Sequence, residues 1–210
     1  MANKAALAHG KTYTRGEMGG YMIGMFGQNL IYQIVNTGLY FYFQNVICLP
    51  AMALGWIFML ARVWDAVNDP MMGALMDKAF ARRADKRGKF RPWLLRATPL
   101  LAVSAIAMWT VPTFLDGIPL LVALFSFKIL YEASYTMFNI PMGSLLSAMS
   151  TNDSERASLS SARGVGSMFG NMIPGLAGPI IVGMFGDRES IGYTIAGVTC
   201  AVIGFIVCFL

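Results

Sequence analysis

From Met18 to Ala61 the chain has no acidic, basic or histidine residue, and charge-free runs return at 97 to 115, 164 to 186 and 190 to 210. A run of about 20 apolar residues is long enough to cross a hydrocarbon core of ~30 Å as an α-helix. A water-soluble domain of this size needs a charged surface. Here 56% of 210 residues are hydrophobic and 13% charged, with a mean hydropathy of +0.57. The fold class expected is all-α and transmembrane.

Runs and punctuation divide the chain into six expected spans, at 17 to 45, 50 to 77, 92 to 112, 117 to 147, 155 to 185 and 190 to 210. Pro50, Pro92 and Pro119 stand where first helical turns would start, and Asn152 with Glu155 has the spacing of a capping box before a helix beginning near Ser154. Met1 to Lys11 is polar and lacks the apolar core of a signal peptide. Residues 1 to 16 are read as an amino-terminal arm and 17 to 210 as a six-helix bundle with a loop at about 78 to 91.

Charge asymmetry orients the spans. Lys78, Arg82, Arg83, Lys86, Arg87, Lys89, Arg91 and Arg96 crowd one connection, while the loops near Asn45 and Asp116 have no basic residue. The basic loop is expected in the cytoplasm, with the arm that carries Lys4, Lys11 and Arg15 on the same side. Both ends then lie inside a plasma membrane, and the Asn152-Asp153-Ser154 sequon faces the cytoplasm without sugar. The same bias accounts for the net charge of +5, so nucleic acid is not an expected partner. Cys48, Cys200 and Cys208 are odd in number and lie in or beside apolar segments, which disfavours a disulfide framework. His9 stands alone in the polar arm, Gly164-Val165-Gly166 lacks the strand and spacing of a nucleotide loop, and no nucleophile set or metal-ligand cluster is present. The chain reads as a non-enzyme without a cofactor.

Ionisable groups at membrane depth cost roughly 2.5 to 3.5 kcal/mol each and mark functional positions by default. At 100° per residue Arg62, Asp65, Asp69, Gly73 and Met76 fall within about 80° of one another on the second span, with Asn68 at the edge of that face. Two carboxylates one turn apart repel unless a cation lies beside them, and with the Asn68 amide they offer hard oxygens to sodium or lithium; a proton is the alternative. A second reading is an Arg62 salt bridge to Asp65 or Asp69 that only neutralises buried charge. On the fourth span Lys128, Glu132, Tyr135, Asn139 and Gly143 share a face, and Lys128 with Glu132 is expected as an ion pair of structural or gating role. Tyr21, Gln28, Tyr32 and Asn36 form a stripe on the first span flanked by Asn29 and Gln33. Ser160, Arg163, Ser167 and Asn171 do so on the fifth. Such stripes suit a hydroxyl-binding wall or interhelical hydrogen bonds. Spans three and six are nearly free of polar groups.

Several motifs together resemble one family. Arg62-Val-Trp-Asp65-Ala-Val-Asn68-Asp69-Pro70 is followed by Arg87-Gly-Lys-Phe-Arg-Pro-Trp93, by Asn139-Ile-Pro-Met-Gly-Ser-Leu145, and by Glu155-Arg156-Ala157 with Arg163. In that order they resemble the glycoside-pentoside-hexuronide:cation symporters. Gly73-Ala-Leu-Met-Asp77-Lys78 resembles the loop signature of the major facilitator superfamily. The resemblance covers nearly all of the chain from Gly16 onward.

It implies a twelve-helix transporter of two six-helix bundles around a central cavity, working by alternating access. By that resemblance this chain would be the N-terminal bundle, and its stop inside the apolar run Gly204 to Leu210 is read as that of a fragment or a half-length product; the C-terminal half would come from the same full-length chain or a separate one. The resemblance places a coupling-cation site for Na+, Li+ or H+ on Asp65, Asn68, Asp69 and Thr136, and a sugar or glycoside site on Asn29, Tyr135, Asn139 and Arg163. Arg62, Asp77, Lys128 and Glu132 are left as gating or ion-pair residues. Melibiose-transporting members carry aspartates at the positions of Asn29 and Asn139 and a tryptophan at Gly143, which argues against galactoside specificity and admits a hexuronide. The expected function is cation-coupled sugar symport; the alternatives are a carrier for a non-sugar organic anion and an inactive half-transporter.

Overall fold

A computed structural model describes residues 13–82, 90–150, 152–186 and 188–209, and all regular structure among them is helical. The first helix, α1, covers Arg15–Gln33 and continues without a break through a π-helical stretch Ile34–Gly38, one α turn Leu39–Phe41 and a second π-helical stretch Tyr42–Val46. It is followed by α2 Ala51–Arg82, α3 Arg91–Thr110 with a 3₁₀ turn Val111–Thr113, α4 Gly117–Met149, α5 Asp153–Gly183 and α6 Glu189–Phe209. A helix thus lies over each expected span. Four of them, Arg91–Thr113, Gly117–Met149, Asp153–Gly183 and Glu189–Phe209, are long and apolar enough to cross a membrane. The first two helices are not among these four. His9, Lys4, Lys11 and the basic residues at 83 to 89 lie outside the described residues.

Two helix starts differ from expectation. The Asn152 side chain caps α5 by accepting from the Ser154 N–H at 3.0 Å, but Glu155 does not close a box with it. The Glu155 carboxylate instead takes the Ser150 hydroxyl, whose oxygen accepts from the Asn152 N–H at 3.1 Å. A nearer oxygen outcompetes the backbone. The full capping box forms at Thr14, where the hydroxyl accepts from the Glu17 N–H at 3.2 Å and the Glu17 carboxylate accepts from the Thr14 N–H at 2.7 Å. Pro50 precedes α2 and Pro92 sits in the first turn of α3. Cys48, Cys200 and Cys208 are free thiols.

Packing sets which faces meet. α1 lies against α5 and α6, α3 against α4 and α6, and α2 against α4. Glycines allow the closest approaches, as expected where helix association in lipid depends on backbone contact. A Cβ on Gly170 would stand 2.6 Å from the Phe26 carbonyl, and one on Gly204 would stand 2.7 Å from the Gly27 carbonyl, so α1 is clasped between α5 and α6. The main core gathers around buried Trp109, whose ring lies against Gly197 and 5.3 Å from that of Tyr42. α1 and α4 are bridged by side chains. Tyr21 donates to the Met142 carbonyl at 3.1 Å, and the rings of Tyr32 and Tyr135 lie 4.9 Å apart.

Candidate functional site

The polar groups of α2 meet those of α4 along a seam. The Thr136 hydroxyl donates to Asp69 Oδ1 at 2.8 Å across 67 residues of chain. The same offset puts Asp77 level with Ser144 and Gly73 level with Ile140, and those four residues do line one cavity, so the helices run in the same direction. It also puts Asp65 level with Glu132. Asp65 accordingly lies within electrostatic reach of Arg62, Asp69, Lys128 and Glu132.

Burial grades along this seam. Asn68 is fully buried and Thr136 is 2% exposed, whereas Asp65 is half-buried and Asp69 and Arg62 are exposed. Both amide atoms of Asn68 and Oδ1 of Asp65 are buried without a hydrogen-bond partner. Thr136 and Asp69 are therefore joined and Asp65 lies within electrostatic reach of Asp69, while Asn68 is buried on the same helix with its amide unfilled. The Arg62 salt bridge considered from the sequence does not form: among the described residues no cation lies within 4.0 Å of Asp65 or Asp69. Arg62 is exposed and reaches Asp65 only as a longer-range charge.

One turn back on α4, Lys128 and Glu132 form an ion pair at 2.7 Å with both side chains almost fully buried. The Lys128 ammonium also donates to Asn36 Oδ1 at 3.4 Å and lies 5.4 Å and 5.1 Å from the ring centres of Phe58 and Tyr131. Asn36 belongs to the π-helical stretch Ile34–Gly38, whose wider turn shifts the register of that face; such insertions recur at functional sites. The sequence stripe contains Asn36, but nothing in the sequence gives the altered register that aims it at Lys128. Asp77 sits farther along α2, in a cavity of about 220 Å³ shared with Phe90 and Ser144.

The residues assigned to sugar lie on the adjoining wall. Asn29 on α1 is 9% exposed, and its amide donates to the Met25 carbonyl at 2.8 Å and to Ser167 on α5 at 3.1 Å. The Tyr135 ring lies tilted against Tyr32 at 4.9 Å and stacked with Tyr131 at 6.4 Å between centres, with Gln28 beside its hydroxyl. Arg163 on α5 lies close to Tyr21 and within electrostatic reach of Tyr135. Asn139, one turn on from Tyr135, is half-buried and has no hydrogen bond among the described residues. Two further amides are buried without a partner at bonding geometry: both polar atoms of Gln28, beside Tyr135, and Oδ1 of Asn171 on α5. Their stripes are legible in the sequence; their unpaired state is a matter of packing.

Residues 20–210 match the family described as MFS/sugar transport protein. The chain is 34% identical over 190 residues to the uncharacterised symporter YnaJ of Bacillus subtilis, covering 89% of this chain and 39% of that protein. It is 30% identical over 210 residues to the isoprimeverose transporter of Lactiplantibacillus pentosus, covering 98% of this chain and 43% of the relative. It is 33% identical over 147 residues to the glucuronide carrier protein homolog of Escherichia coli, covering 70% of this chain and 31% of the relative. The chain therefore spans about two fifths or less of the length of these curated relatives. With its helical fold and its membrane-crossing helices, the chain belongs to the MFS/sugar transport protein family, a family of membrane transporters and not of enzymes.

Proposed function

We propose that this chain carries the cation site and part of the sugar site of a cation-coupled sugar symporter, with sodium or lithium as the ion. The observation that carries the reading is the unpaired polar set in the α2–α4 seam, Asp65 Oδ1 and the whole Asn68 amide, beside the Asp69–Thr136 bond. Leaving one such group unmet costs about 1 to 3 kcal/mol. Two carboxylates, an amide oxygen and a hydroxyl are a hard-oxygen set suited to a small alkali ion. Charge agrees: Asp65, Asp69 and Glu132 against Arg62 and Lys128 leave the seam one negative charge, which one monovalent cation cancels.

The whole carrier is proposed as twelve helices in two six-helix bundles in the plasma membrane, with this bundle's ends on the cytoplasmic side. The second bundle comes from the same full-length chain or a separate one. The cation binds first and fixes α2 against α4, which orders Tyr135 and Asn139 for the sugar. Both ligands then permit the bundles to rock, because an empty site leaves carboxylates unpaired in the occluded state. Asp69→Cys in the complete transporter abolishes sodium-stimulated uptake; coupling retained in that variant overturns the assignment. Uptake driven by a proton gradient and indifferent to sodium and lithium assigns the site to a proton.

The sugar wall supports a substrate without a cationic group. Gln28, Asn29, Tyr135, Asn139 and Ser167 offer amides and hydroxyls, Arg163 offers a positive charge, and none of these is a carboxylate. A neutral pentoside and a hexuronide both suit that wall, and two of the three named relatives, an isoprimeverose transporter and a glucuronide carrier homolog, support sugar. Competition by xylosides and by glucuronides separates the two. Competition by non-sugar organic anions alone overturns the sugar reading.

A further inference from the structure

The Lys128–Glu132 pair is not needed to tie α4 to itself, since both residues already lie in a continuous helix. It is also in the weaker order, because a basic residue preceding an acidic one at i+4 opposes the helix dipole. Yet both side chains are removed from solvent, which is expensive at membrane depth. What the pair does share is a level with Asp65: the offset of 67 residues that joins Asp69 to Thr136 places Glu132 beside Asp65. Glu132 is thus a third carboxylate at the cation seam, and Lys128 already occupies it. The ammonium cannot follow Asp65 freely, because the Asn36 oxygen and the rings of Phe58 and Tyr131 hold it in place.

We propose that Lys128 is a tethered counter-cation that sets the affinity of the neighbouring cation site: by neutralising Glu132 it keeps the seam at one negative charge and confines it to one alkali ion. This rests on the cation reading given above. Lys128 and Glu132 act through Asp65 and are positioning residues, with no contact to the bound ion required.

The test is equilibrium binding of radioactive sodium to the chain in lipid nanodiscs, at fixed pH and at ionic strength held with a bulky organic cation. Wild type binds one sodium ion per chain, displaced by lithium. Lys128→Gln adds a negative charge to the seam and tightens sodium about tenfold or admits a second ion; Glu132→Gln leaves the ammonium unopposed and weakens it about tenfold. The double variant Lys128→Gln with Glu132→Gln returns to within roughly threefold of wild type, and Lys128→Arg stays there too. A purely structural pair weakens binding in both single variants and is not rescued in the double; that pattern, or unchanged affinity throughout, overturns the inference while leaving the cation site standing. Absence of sodium and lithium binding in folded wild type overturns the cation reading itself. If Lys128→Gln fails to fold, the opposing shifts of Glu132→Gln and the double variant still decide.

Discussion

Asn68 is fully buried with both ends of its amide unpaired, although α2 offers it solvent on the opposite face. On the proposed reading that amide is held for the cation, with Asp65, Asp69 and Thr136 supplying the remaining oxygens. Asp69 already accepts one hydrogen bond from Thr136, which orients its second oxygen. Thr136→Val keeps the shape and removes the hydroxyl, so it is expected to weaken cation binding roughly tenfold, in line with a hydrogen bond to a charged group. Serine at the same position is expected to restore most of it. An isotherm for each variant checks this, and equal loss in Thr136→Ser points to packing of the methyl group instead. The i+4 relation of Lys128 to Glu132 and the common face of Asp65 and Asp69 were legible from spacing alone. The Thr136–Asp69 and Lys128–Asn36 contacts were not, because spacing along one helix is silent about register between two.

At the scale of helices, apolar runs and prolines foreshadow where helical rods lie among the described residues, since an apolar solvent ties length and polarity together. The π-helical stretches of the first rod escaped, because they change hydrogen-bond register without a characteristic composition. The spacing predicts a capping box at Asn152, and the box occurs at Thr14: both sequences have the spacing, and only the local geometry shows that Ser150 diverts Glu155. Close packing is carried by glycines. A Cβ on Gly170 would stand 2.9 Å from the Asn29 Cβ as well as against the α1 backbone. Gly170→Leu is therefore expected to cost about 1 to 3 kcal/mol and lower the thermal midpoint. It also displaces Ser167 from Asn29, so sugar affinity falls while sodium binding in the α2–α4 seam is kept. Loss of both together at a temperature where the protein remains folded contradicts the separation of the two sites.

Across the whole molecule, α2 and α5 leave long apolar stretches uncovered, among them Val63, Val67 and Met71 on the one and Met168, Phe169 and Leu176 on the other. In the proposed two-bundle carrier, lipid or the second bundle would cover such faces; the chain spans about two fifths of the length of these relatives. The proposed cation ligands all lie within this chain, on α2 and α4, whereas the proposed central sugar path needs a facing wall. Binding and transport are therefore expected to part company. In proteoliposomes this chain alone binds sodium and gives no sodium-driven sugar uptake, and co-reconstitution with a second six-helix half restores uptake; coupled uptake by the chain alone contradicts the two-bundle reading. The central claim, that Asp65, Asn68, Asp69 and Thr136 form a cation site, is tested most directly by radioactive sodium binding to wild type and Asp69→Asn in nanodiscs. The expected result is saturable, lithium-displaceable binding of one ion in wild type and its loss by tenfold or more in Asp69→Asn with the thermal midpoint preserved. Equal binding by the two proteins contradicts the claim.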